Sequence, residues 1–93
     1  MPWHRVELSG EQVQLGALGN LVNRYSETRL KAGGPRNAAM YSRQMADGSV
    51  SVFFSPRASE LAGELLREYE AESCEQPTGV SMLVGDQSDT LSM

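Results

Sequence analysis

Residues 39–54 read AMYSRQMADGSVSVFF: two runs of strand-forming residues around Ala46-Asp47-Gly48. Asp-Gly between such runs is a strong short-range hairpin signal. The stretch also carries Tyr41, Phe53 and Phe54. Two registers are open. A two-residue turn puts Tyr41, Arg43 and Met45 on one face with Val50, Val52 and Phe54. A three-residue loop, with Gly48 left-handed, puts Met40, Ser42 and Gln44 there instead. The second is preferred. The first points Arg43 into the core, where an unpaired charge is costly, and a one-residue slip exchanges every side chain of the strand.

The flanking segments supply the cover. Trp3–Leu8 alternates as a strand, with Val6 and Leu8 on one face and Trp3, Arg5 and Glu7 on the other. Residues 9–32 read as one long helix. Ser9 caps it, and Gln12 completes a capping box. Leu15, Leu18, Leu21, Val22 and Tyr25 fall within an arc of about 120°. Gly16 and Gly19 weaken this helix by about 1 kcal/mol each relative to Ala, and mark either close backbone approach to a strand or a later start. Gly33-Gly34-Pro35 ends it. Ser55-Pro56 opens a second helix, with a stripe of Ala58, Leu61, Ala62, Leu65, Leu66 and Tyr69. It fades over 72–75, ahead of Pro77. Residues 80–84 form a last short strand, and 86–93 read as a flexible tail. Residues 1–85 are thus one α+β domain.

The order is strand, helix, strand, strand, helix, strand. Two strand-helix-strand crossovers around a hairpin give the split arrangement called ferredoxin-like: a four-stranded antiparallel sheet with two helices on one face. The first and third strands are central, 40–45 is an edge, and the second sheet face is open. The fold by itself implies no activity.

Composition narrows the function classes. The 93 residues carry a net charge of −4, which weighs against nucleic acid, since phosphate neutralisation needs surplus Lys and Arg. The single cysteine, Cys74, precludes an internal disulfide and fits a reducing compartment. No apolar run suits a signal peptide or a membrane span. A cytoplasmic protein with no cofactor and no metal is expected.

The open face would carry Trp3, Arg5, Tyr41, Arg43, Met45 and Phe53. Aromatics and arginines on an exposed sheet are typical contact anchors, so a homodimer or another protein partner is expected. A loop or tail lying over this face would make it ordinary core. An RNA-type stacking platform is disfavoured, because GSVSVFF over 48–54 lacks the basic, glycine-aromatic pattern of that module. The alternative function is a small enzyme or an anionic-metabolite binder, with Arg5 and Arg43 holding the anion and Tyr41 or His4 moving a proton.

The other candidates read blandly. Cys74, beside Glu72 and Glu75, is expected to stay protonated. Glu60, Glu64 and Glu68 form a solvated acidic helix face. Residues 33–37 follow a helix instead of opening one, so they are no phosphate loop.

Overall fold

The computed structural model describes residues 2–86. It is an α+β domain with a five-stranded antiparallel sheet and four helices. The strands are β1 (Trp3–Leu8), β2 (Met40–Gln44), β3 (Val50–Phe54), β4 (Glu72–Cys74) and β5 (Ser81–Val84). The helices are α1 (Gly10–Gln14), α2 (Ala17–Lys31), α3 (Pro56–Leu61) and α4 (Gly63–Glu68). The sheet order is β4-β1-β3-β2-β5.

The hairpin adopts the preferred register. Gln44 faces Val50, Ser42 faces Val52 and Met40 faces Phe54. Met45 N donates to Ser49 O at 2.8 Å, leaving Ala46, Asp47 and Gly48 as the loop. Gly48 sits at φ +88°, which a side chain would disfavour. The Asp47 carboxylate closes the turn by accepting from Ser49 N and Oγ.

This register sends Met40, Val50, Val52 and Phe54, with Val6 and Leu8, into the core beneath the helices. Leu21 and Tyr25 of α2 and Ala58, Leu65 and Leu66 of α3 and α4 fill the other side. Each such fully buried apolar side chain contributes roughly 1.5–3 kcal/mol. Tyr25 meets Phe54 edge to face, with ring centroids 5.3 Å apart.

The long helix expected over 9–32 is two helices. The Ser9–Gln12 capping box forms, but Gly16 takes φ +86° and restarts the chain as α2. The offset throws Leu15 out of the apolar stripe, and it is 80% exposed. The second helix also breaks, at Ala62, into α3 and α4. Ala62 remains buried, so the stripe survives the break.

Beyond α2, residues 33–39 are held by two side chains: Ser55 Oγ accepts from Ala39 N at 3.0 Å and donates to Asn37 O at 2.7 Å, and Arg29 tethers the segment from the helix. Arg29 Nε donates to Ala38 O at 2.9 Å, and its NH2 reaches Pro35 O at 3.4 Å and pairs with Asp86 at 3.7 Å. Arg29→Met keeps the aliphatic stem but strands these carbonyls. It is expected to cost about 2 kcal/mol, read as a lower urea midpoint at unchanged m-value.

Four strands are corrected to five, and both edges differ from expectation. Residues 72–74, read as a fading helix, are instead a strand. Tyr69 ends α4, Glu70 takes φ +56°, and Trp3 pairs with Cys74. The last strand lies at the opposite side, against β2. Residues 40–45 are therefore internal and not an edge. Of the tail read over 86–93, only Asp86 lies within the described residues.

Candidate functional site

β4 and β5 occupy opposite edges, yet only residues 75–80 join them. The helices fill one face, so this segment crosses the other as a strap. Its buried residue is Pro77, and Val80 packs on the cluster of Ala39, Tyr41 and Phe53 below. Trp3, Cys74 and Met82 complete that cluster.

The six residues expected on the open face do share a face, with different fates. Tyr41 and Phe53 are each only 5% exposed. Trp3 is half-buried, its ring 5.6 Å from that of Tyr41 and tilted by 38°. Arg43 lies over the Phe53 ring at 5.4 Å and donates to Thr78 O, tying the strap to the sheet. Arg5 pairs with Glu72 at 3.2 Å and with Glu7 at 3.6 Å. Met45 is the exposed member, at the hairpin end.

The strap was hidden in the sequence. EQPTGV has no periodicity, and its proline reads as a breaker. No local pattern marks it, and only the pairing of 72–74 with β1 reveals the crossing.

The titratable candidates do not converge. Cys74 is partly buried on β4, and burial pushes its thiol above the usual range, with nearby Arg5 pulling the other way. His4 Nε2 lies 3.5 Å from Ser73 Oγ. Glu60 pairs with Arg57 at 3.1 Å. Glu68 takes a two-pronged bond from Arg24, at 2.7 and 2.8 Å, which clamps α2 to α4. The Arg24 guanidinium holds the Glu68 carboxyl below its ordinary range. Among the described residues, no group of three His, Cys, Asp or Glu is close enough to hold a metal ion. No helix among them is long and apolar enough to cross a membrane.

The two sheet edges contrast. β4 has three residues, with Glu72 tied to Arg5 and Glu75 just beyond it. β5 (SMLV) bears no charge and no proline, and no strand among the described residues pairs with its outer side. Charges and prolines are the usual guards of a sheet edge. No family model, curated protein or solved structure matches the chain.

Proposed function

We propose that this protein is a small non-enzymatic interaction module that associates, with a second copy of itself, through the β5 edge. We also infer that β1, β2, β3 and β4 with their helices are a ferredoxin-like unit to which the strap and β5 are an addition. The order β4-β1-β3-β2 supports that assignment.

The unguarded β5 edge carries the association reading. An outer row of unpaired backbone groups is a template for strand addition. A two-fold axis beside β5 would pair it with the partner's β5 antiparallel, so the same four residues serve both sides. Four residues a side bury less than the roughly 1,200 Å² of standard interfaces, so the dimer is weak. Binding of an anionic metabolite through Arg5 and Arg43 has less support, because both guanidinium groups are already engaged.

Sedimentation velocity tests this. The wild-type chain is expected to shift from monomer to dimer across the micromolar range. Ser81→Lys, at an exposed edge position, is expected to abolish the shift without lowering the melting temperature. A wild-type monomer throughout overturns the reading.

A further inference from the structure

The side of α2 that faces β5 is the uncharged side of that helix. Its four charged residues are all turned elsewhere. Arg24, Glu27 and Lys31 line the groove toward α3 and α4, and Arg29 is drawn in to Ala38 O, Pro35 O and Asp86. The β5 side instead carries Gly19, Val22, Asn23, Ser26 and Leu30, within an arc of about 100°. Leu15, turned outward ahead of Gly16, adjoins Gly19 and Asn23. Leu15 and Leu30 are 80% and 73% exposed. We propose that this side of α2 packs on the same side of α2 in a second copy, as a helix layer over the paired β5 strands. This rests on the β5 edge reading and specifies the rest of that interface.

The first support is continuity. α2 lies against β5. Val22, Leu83 and Val84 pack on one core cluster, and Arg29 meets Asp86 just past the strand. β5 bears no charge either. The unguarded edge and the uncharged helix side are thus one surface.

The second is symmetry. A two-fold axis that sets β5 antiparallel to its copy sets α2 antiparallel to its copy as well. From Leu83 to Asp86 is about 10 Å of extended chain. That is the rise of about seven helical residues, which counts back from Arg29 to Val22. An axis beside the middle of β5 therefore passes level with Val22 and Asn23. Leu15 stands seven residues before Val22, and Leu30 stands seven after Asn23. Leu15 of one copy thus meets Leu30 of the other, at both ends of the pair. Gly19 likewise meets Ser26, and small residues there let the helices close to the roughly 8–10 Å of packed helices.

The third is area. Single exposed leucines are ordinary. Here two of them lie at matched distances from one axis, beside strands that alone fall short of the roughly 1,200 Å² of a standard interface. Burying both leucines of each copy extends that contact.

Sedimentation velocity of the full chain tests the helix layer by charge exchange. Leu15→Glu and Leu30→Lys are each expected to weaken the dimer about tenfold. The melting temperature of the dilute chain is expected to be retained, because both side chains are exposed in the monomer. The double variant Leu15→Glu/Leu30→Lys is expected to regain most of the loss at low salt and to lose it again at high salt. Within one chain the two positions lie roughly 20 Å apart, so only pairing between copies restores affinity. Affinity unchanged in both single variants overturns the helix layer and leaves the β5 edge standing. A double variant no tighter than the single ones does the same. A wild-type chain that stays monomeric overturns the edge reading and the helix layer together.

Discussion

Phe53→Ala is expected to lower stability by about 3 kcal/mol, the usual scale for truncating a buried phenylalanine. The reason is the strap. On a bare sheet face the same change would cost little, since surface substitutions usually stay within about 0.5 kcal/mol. Phe53 instead lies 5% exposed on a central strand, under Arg43 and beside Tyr41, Val80 and Met82. Truncation leaves a cavity beneath residues 75–80 and removes the ring that Arg43 covers. Chemical denaturation measures the loss. A second signature separates this face from the helix-side core. Trp3, the chain's one tryptophan, packs against this cluster, so its emission is expected to shift in native Phe53→Ala. Leu21→Ala, on the other face, is expected to leave that emission unchanged.

Deleting Thr78 and Gly79 is expected to detach one of the two edge strands, β4 or β5. Four strand spacings separate β4 from β5, roughly 19 Å at about 4.8 Å each. Seven Cα steps join Cys74 to Ser81, and these reach at most about 25 Å at about 3.6 Å a step. Removing two steps cuts the reach to about 18 Å, short of the crossing even before the chain climbs over Tyr41 and Phe53. Either β4 or β5 must then leave the sheet. The expected readout is loss of amide protection across one of these edge strands, with protection retained in β1 and β3, whose helix-side core does not depend on the strap. Inserting two glycines at the same point is the contrasting control. Loop-closure entropy grows slowly with length, so the insertion is expected to cost less than about 1 kcal/mol. Equal loss in deletion and insertion would show that the strap's sequence, and not its reach, holds β5.

Much of the architecture was legible. Val50, Val52 and Phe54 alternate with Ser51 and Phe53, and the Asp47-Gly48 pair specifies a loop that only one register fits without burying Arg43. Ser9 and Gln12 marked the start of α1, and Ser55-Pro56 marked that of α3. What escaped were the places where a local pattern yields to a distant partner. Leu15 fits the α2 stripe by angle, but Gly16 in the left-handed region turns it outward. Glu72, Ser73 and Cys74 continue a helical run by composition, but β1 offers a free edge and the chain leaves the helix at Glu70 to take it.

The sequence by itself determined the hairpin, its favoured register, the starts of α1 and α3 and the face to which each residue of β1, β2 and β3 points, because these follow from turn and cap chemistry and from the period-two alternation of side chains. The tertiary structure alone decided what covers the second sheet face and which edge is left unpaired. Six residues without periodicity carry the chain from one side of the sheet to the other. They bury Tyr41 and Phe53, which the alternation had placed in solvent. Their path turns residues 40–44 from an edge into an interior strand and leaves β5 as the edge on that side. Those outcomes depend on pairings between residues far apart in the chain, for which local sequence carries no signal.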